Sequence, residues 1–318
     1  TRPMTWLERH TRRLFDRVSV RSDAIRVKIQ DKALPIKRLA VERLEAETGT
    51  KVAASLDTYL REGLYSGRAG ERMVDLEQDY VEPMIEHMRK AGISLEEAGD
   101  YVYARHARER NAWISLINPD LMDGGSGMTN AEADQILADV RASGKQADMD
   151  RAAQYVDDMI EKSRKDLLKS GLINRETFDA WSMKYASYVP LRGFELGEAE
   201  NPDFPRVGRG YDVRGRESMQ ALGRRSKADN PIIYAVQQAQ QAIVRAEKNR
   251  VNKTLYNAVQ SYPNDGFWKV YVGEVRKRFN PSTGLVEEYF MPPDFVRRDD
   301  VIGVKLNGKQ KWIEIKHP

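Results

Sequence analysis

There is no cysteine among the 318 residues. Disulfides, thiolate metal sites and cysteine nucleophiles are therefore excluded, and either redox compartment is open to the chain. Long apolar runs are also missing, so no segment reaches the ~20 residues needed to cross a bilayer as a helix. Histidine is scarce: His10, His87, His106 and His317 share no metal-ligand spacing, and no His-Glu-x-x-His occurs. Neither a metal site nor a cofactor is expected. An excess of one charge is lacking too, since 52 basic side chains face 48 acidic ones for a net +4. Such a balance permits nucleic-acid contact without arguing for it, and local clustering has to carry that case. The sequence opens Thr-Arg-Pro-Met-Thr-Trp, with no signal-peptide pattern, and stops inside the strand-like run Trp312 to Pro318. Both ends read as those of a piece excised from, or ordered within, a longer chain.

What is present is mostly helical patterning, and the expected fold is mainly α. A multi-helix body carries a long spine helix and a small C-terminal antiparallel β element. Five regions are expected: helices over 1–118 and 119–192, an irregular basic connector over 193–229, a long helix over 230–262 and the β element over 263–318. In the first, Trp6, Leu7, His10, Leu14, Phe15 and Val18 form one apolar face. Leu34-Pro35 opens the next helix. Two more are read over 52–65 and 72–90, separated by Ser66-Gly-Arg-Ala-Gly70. Ser94-Leu-Glu-Glu97 and Thr129-Asn-Ala-Glu132 are capping boxes, each opening a helix. Asn118-Pro119 ends the first of these, and Asp123-Gly-Gly-Ser-Gly127 reads as a flexible loop. Asn230-Pro231 starts a helix of roughly 45–50 Å. That length suits a spine or an inter-subunit contact, and Ile232, Val236, Ala239, Ile243, Val251, Leu255 and Val259 form its stripe. Asn307-Gly308 between two β-rich runs is the strongest hairpin signal.

Several motifs carry chemistry on paper. Gly303 to Gln310 has the spacing of a phosphate loop, but Gln310 stands where the motif needs Ser or Thr, and strand follows; a hairpin is expected instead. Glu217-Ser218 resembles the Glu-Ser pair of lytic transglycosylases, whose buried acid protonates a glycosidic oxygen. That family's continuation is absent, and the surroundings read as an irregular basic loop, so no catalytic residue is assigned. Arg206, Arg209, Arg214 and Arg216, interleaved with glycine and Tyr211, have the makings of a phosphate contact. Arg245 and Lys248 on the long helix extend that candidate nucleic-acid or partner surface. His106 and Glu109 fall on the apolar stripe of Ala98, Val102, Trp113 and Leu116; with Arg110 they read as an internal polar network that fixes helix register.

Three segments, in order, resemble the phage large polyvalent proteins of the PLxRFG type. They are Tyr101 to Trp113, Asp123 to Ala133, and Gly171 to Phe194 with Trp181 and Tyr188-Val-Pro-Leu-Arg-Gly-Phe194. This chain places Gly193 before Phe194, where the family has arginine, phenylalanine and glycine in succession. The resemblance covers roughly residues 95–195 and brings no catalytic residues with it. It implies a non-enzymatic structural module of a virion protein ejected into the host with DNA, helping to form or traverse a delivery conduit. The alternative it implies is an injected antirestriction or host-factor-binding module. Expected partners are other phage virion proteins, further copies of the chain, and DNA, in a membrane-proximal assembly without a transmembrane segment. The expected location is the virion, then the host envelope or cytoplasm.

Overall fold

A computed structural model describes residues 45–46, 49, 51, 53, 55–121, 123–193, 213–214, 217, 223–280, 285–291 and 300–316. The helices expected before residue 45 lie outside the described residues, as does most of the connector.

The fold is mainly α. Helix α1 (Thr58–Gly63) leads into α2 (Tyr65–Leu76), a π-helical turn (Glu77–Val81) and α3 (Glu82–Ala91). The break expected at Ser66–Gly70 does not occur. Tyr65, Ala69, Met73 and Leu76 form a buried stripe through it, while Gly67 and Gly70 face open space. Burial of that stripe outweighs the roughly 1 kcal/mol that each helical glycine costs.

Helix α4 (Leu95–Ile117) opens on the Ser94 capping box, with the Glu97 N–H donating to Ser94 Oγ and the Ser94 N–H donating to Glu97 Oε2. Helix α5 (Asn130–Ala142) opens the same way on Thr129 and Glu132. Then follow α6 (Gln146–Ser170), α7 (Arg175–Lys184) and the long α8 (Pro231–Ser261). Asn230 joins two of these starts: it accepts from the Ile232 N–H and donates to the Leu95 carbonyl at 2.7 Å. Glycine is required opposite, since a Cβ on Gly99 would lie 2.2 Å from the Asn230 amide.

One core is shared by helices on both sides of the connector. It takes Met73, Leu76 and Met84, then Val102, Val156 and Met159, and finally Ile232, Val236 and Ile243. The α8 stripe is therefore buried inside this chain, as a spine helix requires. A long stripe marks burial, and burial inside one chain looks the same in sequence as burial between chains.

The C-terminal half of α8 carries a three-stranded antiparallel sheet of order β1-β5-β4, with β1 Trp268–Val272, β4 Val301–Leu306 and β5 Lys309–Ile315. Leu255 and Val259 pack on Trp268, Val304 and Ile313. Strands β2 (Glu274–Asn280) and β3 (Leu285–Met291) form a separate antiparallel pair. Asn307 and Gly308 both take positive φ, 50° and 78°, as a tight hairpin turn demands. The phosphate-loop spacing is thus a β4–β5 hairpin. The outer edge of β4 is closed by asparagines on α8. Asn249 donates to the Lys305 carbonyl and accepts its N–H, and Asn252 donates to the Gly303 carbonyl at 2.7 Å. Side-chain amides here stand in for a further strand. No helix among the described residues is long and apolar enough to cross a membrane.

Candidate functional site

Helix α4 gathers the polar groups that the sequence singles out. At its middle, Asn111 is 1% exposed and ties down the following loop. Its oxygen accepts from the Ser126 N–H at 2.7 Å, and its nitrogen donates to the Met128 carbonyl, Asn130 and Asp123. Tyr103 donates its hydroxyl proton to the Ser126 carbonyl and accepts from the Ala228 N–H. The loop expected to be flexible is thereby clamped to α4 and to the strand-like stretch before α8. Its glycines are needed for close approach: a Cβ on Gly125 would lie 2.4 Å from Ile114, and one on Gly127 2.0 Å from the Ser226 carbonyl oxygen.

The second group is His106, Glu109 and Arg110. His106 is fully buried, with the Tyr185 ring edge-on at 4.8 Å and Tyr188 at 5.5 Å. Its Nδ1 lies 3.8 Å from Glu109, beyond hydrogen-bond reach, and neither ring nitrogen has a partner among the described residues. Burial pushes the imidazole pKa down; Glu109 pulls it partly back and Arg110 opposes protonation further. The Glu109 carboxylate turns away, accepting from the Ala186 and Ser187 N–H groups at 3.1 and 3.2 Å. Proximity to His106, and then those two donors, hold its pKa below the ordinary value against partial burial. Arg110 Nη1 reaches the Tyr185 hydroxyl at 3.5 Å. The three residues are neighbours as expected, but each serves a different contact. The stripe they were read from is broken, because Leu116 is 76% exposed.

The basic candidates fare differently. Arg245 and Lys248 are 4% and 2% exposed, which corrects their placement on an outer surface for nucleic acid. Arg245 binds Glu217 through Nε at 2.8 Å, and Lys305 Nζ reaches the same carboxylate at 2.8 Å. Arg214 also faces protein, its carbonyl accepting from Arg245 and its guanidinium reaching the Val301 carbonyl. Arg206, Arg209, Tyr211 and Arg216 lie outside the described residues. Glu217, read from sequence as part of a loose basic loop, is instead internal. Burial alone would raise its pKa; the Arg245 hydrogen bonds and the charges of Arg245 and Lys305 outweigh that and hold it below the ordinary value. A general acid needs the opposite shift.

Sequence reasoning missed a further carboxylate. Glu247 is 0% exposed and collects Arg72 and Arg250 on one oxygen at 2.6 and 2.7 Å and Arg68 on the other at 3.2 Å. Arg72 also bridges to Asp166. The signal was available: four-residue steps from Ile243 to Val251 pass through 247. No group of three or more metal-ligating side chains exists among the described residues.

No protein-family model, curated protein or solved structure matches this chain. The polar side chains described above mostly close contacts between helices, strands and loops. As chemistry, that arrangement fixes charges and backbone among the described residues.

Proposed function

We propose that this chain is a non-enzymatic helical module of a large phage virion protein, ejected into the host with the genome and helping to form or traverse a conduit for DNA. One observation carries the reading. The three segments that resemble large polyvalent proteins lie up to 93 residues apart, from Tyr101 to Phe194, yet their described parts meet on one helix. Tyr103 and Asn111 from the first hold Ser126 and Met128 from the second. His106 and Glu109 from the first hold Tyr185 to Tyr188 from the third. Residues shared for such contacts describe a scaffold, and a scaffold is what the resemblance implies. Its partners are other virion proteins and further copies of itself. DNA contact in this reading falls to Arg206, Arg209, Tyr211 and Arg216.

Peptide mass spectrometry on purified virions of the encoding phage, before and after DNA ejection, tests it. Peptides present in full particles and lost on ejection are the expected result. Peptides retained after ejection mean a fixed structural part, and absence from virions overturns the reading.

A further inference from the structure

Several buried or half-buried cations of this molecule meet a carboxylate. Arg72, Arg105, Arg245 and Lys305 each do so at 2.8 Å or less. Arg110 and Lys184 do not. Among the described residues no carboxylate stands within ion-pair distance of either, and Glu109, the nearest in sequence, is engaged by backbone N–H groups of Ala186 and Ser187. Instead Lys184 Nζ lies 3.7 Å over the Trp113 ring and 5.3 Å from the Tyr185 ring. Among the described residues, Arg110 donates a hydrogen bond to the Tyr185 hydroxyl.

The same corner holds buried nitrogens without a hydrogen-bond partner; in the neutral His106 ring one of the two is a donor and the other an acceptor. His106, Arg110 and Trp113 follow at i, i+4 and i+7 on α4, so they share one face. Both His106 nitrogens, Arg110 Nε and Trp113 Nε1 are buried without a partner. An unpaired buried donor costs about 1–3 kcal/mol, so a row of them wants acceptors. The two cations are also near enough to disfavour one another. Burial lowers the Lys184 pKa and the Arg110 charge lowers it further. An anion placed between them would offset that repulsion and give Arg110 Nε an acceptor. Access is open from the Lys184 side, since Lys184 is exposed.

We propose that Arg110, Lys184 and the Tyr185 hydroxyl form an oxyanion-binding site, with Trp113 as its floor and buried His106 behind it. The ligand is a carboxylate or a phosphate. It is held by two positive charges and a hydroxyl donor, with the Trp113 ring face against the exposed Lys184 ammonium. This site is independent of the virion reading and survives its failure.

The test uses the full 318-residue chain with 15N-labelled tryptophan indoles, the Trp113 signal being identified from Trp113→Phe. Inorganic phosphate, acetate, a short single-stranded oligonucleotide and a glutamate-rich peptide are titrated in turn. A saturable shift of the Trp113 indole signal with at least one probe is expected. It should weaken at least tenfold in Lys184→Gln and in Arg110→Gln and persist in Lys184→Arg. A polymer that binds at least tenfold more tightly than its free anion identifies the source as nucleic-acid phosphate or partner carboxylate. Equal binding assigns a free small anion. No saturable shift with any probe, or a shift unchanged in both Gln variants, overturns the site. Lys184 is exposed, so its variant decides the matter alone if Arg110→Gln does not fold.

Discussion

Replacing Glu217 by glutamine should be among the most damaging single changes in the chain. The carboxylate is 4% exposed and neutralises Arg245 and Lys305, whose side chains are 4% and 8% exposed. Glutamine keeps the shape and one acceptor oxygen but removes the charge. Two cations are then left facing each other away from water. Breaking a buried ion pair from one side costs about 3–5 kcal/mol. Retention of one hydrogen bond puts Glu217→Gln near the lower end, which corresponds to a fall in Tm of roughly 4–6 °C for a chain of 318 residues. Lys305→Met is the control. It leaves Glu217 and Arg245 paired, so its cost should be nearer about 1 kcal/mol. The pH dependence has a definite sign. The folded-state pKa of Glu217 is depressed, so its contribution is complete above the unfolded value of about 4.3 and is lost as pH falls through the folded pKa. Stability of the wild type should therefore decline with acid in that window, and Glu217→Gln should flatten the decline. Urea unfolding followed by circular dichroism at pH 7 and at pH 3–5 measures both quantities. A Glu217→Gln loss below 1 kcal/mol with an unchanged urea slope would refute the buried triad.

Three other outcomes follow from the same geometry. His106→Phe should remove a second acid sensitivity: burial depresses the imidazole pKa, so the unfolded chain gains protons first and stability falls as pH drops below about 6.5. The variant keeps edge contacts to Tyr185 and Tyr188, so at pH 7 its stability should lie within about 1.5 kcal/mol of wild type, read from melts across pH 5–8. Asn111→Ala orphans the buried Ser126 N–H, worth about 1–3 kcal/mol, leaves the Met128 carbonyl with the Ser126 hydroxyl alone, and should expose the 123–129 loop to limited proteolysis. Gly127→Ala meets both a φ of 88° and the Ser226 carbonyl and should cost at least about 2 kcal/mol, whereas Gly67→Ala, facing open space on a helix, should gain about 0.5–1 kcal/mol; differential scanning calorimetry of the pair separates the two.

What could be read in the sequence is what acts over a few residues. The Ser94 and Thr129 capping boxes, the stop at Asn118-Pro119, the Asn230-Pro231 start and the Asn307-Gly308 turn all formed where their local chemistry placed them. Each is a contest between a side chain and a backbone group at most four positions away. The errors share the opposite property. Ser66–Gly70 reads as a break until the stripe of Tyr65, Ala69 and Met73 finds a core to enter. Arg245 and Lys248 read as a solvated face because their fate depends on what comes to meet them: for Arg245 it is Glu217, 28 residues away, and Lys305 from a strand. Glu247 is the extreme case, with arginine partners 175 and 179 positions distant. A charge on a helix can be solvated or buried at equal local cost, and only a long-range partner decides between them. The gap in the α8 stripe at position 247 was the single local trace of that decision. It follows that in a chain with 52 basic and 48 acidic side chains, charge clusters along the sequence are weak guides to a nucleic-acid surface. The stronger guide is the unbalanced charge that remains once internal pairs are subtracted, and in the described residues that remainder includes Arg110 and Lys184.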